Sequence, residues 1–259
     1  HPKLDYSSPY IWGSRPIVEW YNGYSTWSFQ PYLSATSLTL FGIGNVSLDI
    51  ARIFLKSPAQ LQLTEMNEKL IHLLKQSSIH DIHIFARRGP AQAKCTPLEL
   101  KELFDLEHVN IIVNPKSFQL SAADQQEIKE SRRVRENVAL FQQAPIQRQG
   151  KKNLYFHFNA YLDNITELQM GSYELQFKQT LCKGEPFKQE LVIQNSSFKY
   201  QAELIVSAIG YEGQAVADIP FDTKTTCIPN TQGKILYNSS NTNCLISVSY
   251  THLRAHETT

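Results

Sequence analysis

The chain has 259 residues, 42% hydrophobic and 19% charged, with a formal net charge of +1. That is ordinary for a globular protein and enough for one large domain or two modest ones. The near-neutral balance gives no support to a nucleic-acid partner, and the longest apolar runs are strand-sized, short of the roughly 18 residues a membrane span needs. The cysteines Cys95, Cys182, Cys227 and Cys244 are scattered and form no C-x-x-C pair. Neither a zinc site nor a redox motif is supported, and disulfides are not expected in so large a domain.

Residues 1–36 are rich in Tyr, Trp, Ser and Pro, and "RPIVEWYNGY" (Arg15–Tyr24) predicts a short helix stopped at Gly23. Ser37–Phe41 predicts a buried strand, and Asn45–Lys56 a helix with Val46, Leu48, Ile50, Ile53 and Phe54 on its apolar face, ended by Ser57-Pro58. A helix over about Glu65–Gln76, a strand over Asp81–Ala86, a helix over Pro97–Leu106 and a strand over Val109–Val113 follow. This alternation implies a parallel sheet with helices on its faces. Gln125–Gln143 predicts one charged helix containing "SRRVREN". Leu154–Phe158, Tyr173–Lys178, Gln189–Gln194 and Ala202–Ser207 predict antiparallel strands joined by polar turns.

The ends carry a separate expectation. The chain begins at His1 in what reads as the middle of a protein, and "YTHLRAHET" resembles a translated sequencing-adaptor read. The chain is therefore expected to be an internal fragment, with Ser249–Thr259 a non-native tail set aside from fold reasoning.

The chemistry is concentrated in "SLTLFGIGNVSLDIARIF". Gly42 permits a tight turn at a strand end, Gly44 lets backbone approach a pyrophosphate, and Ser47 is small enough for close helix–strand packing. The start of the next helix offers free N–H groups and a positive dipole end to phosphate. A tight turn without a ligand is the alternative. Asp49 and Arg52, at i and i+3, read as a surface ion pair. A dinucleotide site that takes NAD places an Asp or Glu at the end of the second strand; here Arg87 and Arg88 stand there. Two guanidiniums can clamp a 2′-phosphate, which favours NADP over NAD, a solvated arginine pair being the alternative. Arg87 lies 43 residues after Gly44 rather than about 20, which requires an inserted helix in the crossover.

These residues together resemble the adrenodoxin reductase family of mitochondrial-type ferredoxin–NADP reductases. The resemblance runs from about Arg15 to Leu245 through "WYNG" (Trp20–Gly23), "GxGNVxLDxAR" (Gly42–Arg52), "RRGPxQ" (Arg87–Gln92), "KEL" (Lys101–Leu103), "SxIGY" (Ser207–Tyr211), "PFD" (Pro220–Asp222) and "IPN" (Ile228–Asn230). The inserted helix also resembles the family. The implied fold is α/β, a Rossmann-like parallel sheet of an NADP-binding domain with an antiparallel β portion, plus partial pieces of a split FAD-binding domain. Residues 1–35 would be an FAD-domain segment, 36–206 the NADP domain and 207–248 a return into the FAD domain.

By resemblance, NADPH passes hydride to FAD, which delivers single electrons to a [2Fe-2S] ferredoxin or adrenodoxin. Gly42, Ile43, Gly44, Asn45 and Val46 would line NADP(H), Arg87 and Arg88 would hold its 2′-phosphate, and Glu99 would stand near the adenosine end or simply face solvent. Ile43 replaces a frequent family glutamine. Arg132, Arg133 and Arg135 would meet the acidic ferredoxin or form a solvated helix face. No catalytic side chain and no metal ligand is assigned, and His72, His80, His83, His108 and His157 read as surface or packing residues.

The family's first FAD glycine motif would lie before His1, and its flavin-contact segment near the adaptor-like tail. The chain alone is therefore expected to lack flavin and ferredoxin reduction. A monomer is expected, with membrane contact at most peripheral, in mitochondria in a eukaryote or the cytoplasm in a bacterium. The alternatives are another two-dinucleotide flavoprotein, such as a glutamate-synthase-like subunit, and a non-catalytic NADPH-binding module.

Overall fold

A computed structural model describes residues 4–24, 30–210, 215, 217, 219–223 and 227–230, and the backbone of 234–239 and 242–247. The tail 249–259 and Tyr211 of the "SxIGY" motif lie outside the described residues. The chain divides into two units, residues 1–209 and 210–259.

The first unit opens with β1 (Ile11–Gly13) and α1 (Ser14–Tyr21), then β2 (Ser37–Phe41), α2 (Asn45–Leu55), α3 (Pro58–Gln62) and α4 (Glu68–Lys75). It continues through β3 (Asp81–Phe85), α5 (Pro97–Phe104), β4 (Val109–Val113), α6 (Ala122–Glu130), α7 (Arg132–Phe141) and β5 (Lys152–His157). It closes with β6 (Ala160–Gln169), β7 (Ser172–Lys183), β8 (Glu190–Ala202) and β9 (Leu204–Ser207). Six strands form one sheet in the order β1-β9-β2-β3-β5-β4, and every neighbouring pair is parallel. Strands β6, β7 and β8 form a separate antiparallel sheet.

The parallel sheet has two unlike faces because strand side chains alternate. Leu38, Leu40, Ile82, Ile84, Leu154 and Phe156 pack with residues of α1, α2, α5 and α7 in one core. Phe41, Phe85 and Ile205 point the other way, against Leu162, Tyr173, Leu175 and Phe177 of the antiparallel sheet. The layers are therefore helices, parallel sheet, antiparallel sheet.

Several expectations need correction. Residues 154–157 and 204–207 belong to β5 and β9, which pair in parallel, while Ala202 ends the antiparallel β8. Local pattern does not encode this, since β5 lies between β3 and β4 through contacts distant in sequence. The charged helix is two helices divided at Ser131, which ends α6 with extended backbone and accepts the Val134 N–H to begin α7. Ser57-Pro58 ends α2 but also starts α3 through a capping box with Gln60. The next helix starts at Glu68, where Asn67 caps it. Strand β6 has no counterpart among the expected elements.

In the second unit, β10 (Lys234–Ser239) and β11 (Thr242–Ser247) form an antiparallel hairpin, and Asp222 and Cys227 exchange backbone hydrogen bonds. Among the described residues no helix is long and apolar enough to cross a membrane.

Candidate nucleotide site

The carboxyl ends of β9, β2 and β3 are laced together. Ala208 N–H donates to Phe41 O at 2.8 Å, and Gly42 N–H donates to Phe85 O at 2.9 Å. The chain leaves β2 toward β3 on one side, while β9 returns on the other. In an open α/β sheet such a reversal creates a crevice beyond the strand ends.

Gly42 has φ +104°, and a Cβ there would sit 2.4 Å from Ala208 O, so only glycine makes this turn. Gly44 caps α2 with extended backbone, φ −115° and ψ 175°, and no side chain satisfies the first N–H groups. Nothing lies within 4 Å of where its Cβ would be. That is an open cradle at a helix N-terminus, suited to an anion. Ser47 is fully buried, with no hydrogen-bond partner for Oγ. Ile43 and Val46 pack partly against the helix-side core. Asn45 Oδ1 accepts Thr96 N–H at 2.8 Å, which ties the start of α2 to the cap of α5.

Arg87 and Arg88 leave the end of β3, the strand beside β2. Arg87 is exposed and Arg88 partly so. Arg88 Nε is buried without a hydrogen-bond partner, a cationic donor still lacking its acceptor. The glycine turn and the arginine pair thus stand at the same end of two adjacent parallel strands.

Glu99 lies in the first turn of α5, with Oε2 3.1 Å from Arg52 Nη1; Arg52 also pairs with Asp49 and Glu102. The Asp49–Arg52 pair is present, but it belongs to a half-buried α2–α5 junction rather than an open surface. Of the three arginines on α7, Arg132 pairs with Glu136 at 2.6 Å and is largely exposed. Arg133 Nη1 donates to Ala93 O at 3.1 Å. Arg135 Nη1 donates to Ile128 O and Lys129 O near the end of α6.

Two clusters were not legible from sequence. His83 Nδ1 and His157 Nε2 are 3.0 Å apart between the two sheets, beside Tyr155, Phe85 and Tyr200. Burial pushes both imidazoles down to about 4; Asp81 works against this at His83, and His83 adds to it at His157. Gln189, near the turn joining β7 and β8, donates to both Asp124 and Glu127 of α6 at 2.9 Å. Burial raises the Asp124 pKa, but hydrogen bonds from Gln189, Ser121 and Gln92 outweigh it and hold the carboxyl below its usual range. Among the described residues, no group of His, Cys, Asp and Glu is arranged to hold a metal.

A parallel sheet with a glycine turn opening a helix, and a cationic pair at the next strand end, defines a dinucleotide-binding α/β domain of Rossmann type. No family model matches the chain. Its homologues are NADPH:adrenodoxin oxidoreductases and the NADPH-ferredoxin reductases FprA. It is 28% identical to the mitochondrial NADPH:adrenodoxin oxidoreductase of Arabidopsis thaliana over 242 residues, 89% of this chain and 50% of that protein. It is 31% identical to FprA of Mycobacterium tuberculosis over 238 residues, 85% of this chain and 48% of that protein. The solved structure of that FprA in complex with NADPH superposes with TM-score 0.79 at 26% identity, covering 90% of this chain and 52% of that one. The chain spans about half the length of the curated relatives it matches.

Proposed function

We propose that this chain carries the NADP(H)-binding part of an FAD-dependent NADPH–ferredoxin reductase. The observation that carries the reading is the placement of the Gly42–Gly44 turn and the Arg87–Arg88 pair at the ends of adjacent parallel strands. The open cradle at Gly44 and the unpartnered Arg88 Nε fit a ligand with both a pyrophosphate and a second phosphate. When bound, NADPH supplies a hydride to FAD, from which electrons pass singly to a [2Fe-2S] ferredoxin.

The residues of this chain bind and orient. Gly42 makes the turn, backbone N–H groups from Ile43 to Val46 hold the pyrophosphate, and Arg87 and Arg88 hold the 2′-phosphate. Glu99 stands toward the adenosine end. Residues 1–35 and 207–248 belong to the FAD domain in this reading. Arg132, Arg133 and Arg135, all exposed, form the basic helix face that meets an acidic ferredoxin. Such steering raises encounter rates and weakens with salt. The protein acts as a monomer, in mitochondria in a eukaryote or the cytoplasm in a bacterium.

Titration of the chain with NADPH and NADH tests the reading. NADPH should bind in preference, and Arg87→Ala/Arg88→Ala should lower NADPH affinity by roughly 30-fold or more, with NADH changed less than about twofold. Equal affinities in the unaltered chain would sink the assignment.

A further inference from the structure

The loop that carries the arginine pair is held by the antiparallel sheet. Three successive carbonyls accept one hydrogen bond each: Ala86 O from Ala160 N–H at 3.0 Å, Arg87 O from Thr180 Oγ1 at 2.7 Å, and Arg88 O from Asn159 N–H at 3.2 Å. Thr180 N–H donates to Asn159 O at 3.0 Å, which joins the donors into one unit. Asn159 has φ 58°, a left-handed conformation that asparagine tolerates better than most residues. Two of these three donors are backbone groups. Among these three carbonyls, the central one is held by a side chain.

Strand β7 aims that side chain by breaking its own alternation. Tyr173, Leu175 and Phe177 are buried in turn, so a regular strand would bury Gln179. Instead Gln179 is exposed and Thr180 is buried, 1% exposed. The pairing with β8 shifts register between Lys178 and Thr180. A bulge of this kind moves every following side chain to the other face. The buried hydroxyl then needs a partner, and it has Arg87 O.

We propose that Thr180 is a positioning residue that sets the preference for a 2′-phosphorylated adenine nucleotide over an unphosphorylated one. It does so by fixing the backbone from which Arg87 and Arg88 project. Two guanidiniums grip one phosphate well only when their relative placement is set before binding. The inference rests on the proposed NADP reading, and the experiment separates the two.

The probes are 2′,5′-ADP, 5′-AMP, NADPH and NADH, titrated against the unaltered chain, Thr180→Val and Thr180→Ser, with thermal midpoints measured alongside. Valine keeps the shape and removes the donor; serine keeps the donor. In Thr180→Val, affinity for NADPH and 2′,5′-ADP should fall about five- to tenfold, with NADH and 5′-AMP changed less than about twofold. Thr180→Ser should restore most of the preference. Thr180→Ala removes the same hydroxyl with less volume and serves the same comparison if the valine variant misfolds. A hydroxyl-less variant that keeps the full preference, or loses all four ligands in parallel, overturns the role of Thr180 while leaving the arginine pair intact. An unaltered chain with no preference overturns the NADP reading itself.

Discussion

The two faces of the parallel sheet are made of different material. Toward the helices, the buried side chains of β2, β3 and β5 are Leu38, Leu40, Ile82, Ile84, Leu154 and Phe156. Toward the antiparallel sheet, the same strands present Thr39, Asp81, His83, Asn153, Tyr155 and His157 beside Phe41 and Phe85. The side chains of the first face have no charge to gain or lose, so the stability they supply does not depend on pH. The second face is partly polar, carries the titratable His83 and His157, and lies under the strands whose far end holds the arginine loop. In the proposed reading, pH-indifferent packing thus lies on one side of the sheet, and the pH-sensitive packing together with the supports of the arginine loop lies on the other.

The sharpest way to break this contrast is acid against a cavity. Ile84→Ala removes a fully buried side chain from the helix face and should cost about 2–5 kcal/mol, equally at pH 5 and pH 7, read from urea midpoints. On the other face, His83 and His157 are held neutral, with pKa values of about 4 when folded and an ordinary value near 6.5 when unfolded. Below 6.5 the unfolded chain takes up protons that the folded chain refuses, so stability should fall as pH drops from 6.5 to 4. At pH 5 the loss is on the order of 2 kcal/mol for each ring, and His83→Gln/His157→Gln should flatten the slope. Asp81, Tyr155 and Tyr200 face the pair, and Asp81 softens the effect at His83. A flat profile in the unaltered chain would show that the rings are not shielded together. The smallest effect is expected at Asn153, whose Nδ2 donates to Asp81 Oδ1 at 2.6 Å; Asn153→Ala should cost about 1 kcal/mol.

Legibility followed the range of the interaction. "SLTLF" and "VNIIV" match β2 and β4 residue for residue, because buried strands announce themselves by local composition. The glycine turn, the helix it opens and the arginines at the next strand end were equally local. Strand β5 was readable as a strand but not as a parallel one, since its partners lie more than 35 residues earlier in the chain. The histidine pair joins positions 74 apart. Thr180 was hidden for a different reason: a bulge reverses the face that simple alternation assigns to it.

Gly42 and Gly44 were read together as one signature, yet they differ in what they testify to. Gly42 is forced by its own fold: left-handed backbone beneath the Ala208 carbonyl admits no other residue, whether or not a nucleotide ever arrives. Gly44 has ordinary extended backbone and empty space around it, so nothing within the described protein demands a glycine. In the proposed reading, that open space is what lets the backbone approach a pyrophosphate. If the proposed reading holds, Gly44→Ala should weaken NADPH binding while leaving the fold intact, whereas Gly42→Ala should destabilise the fold itself.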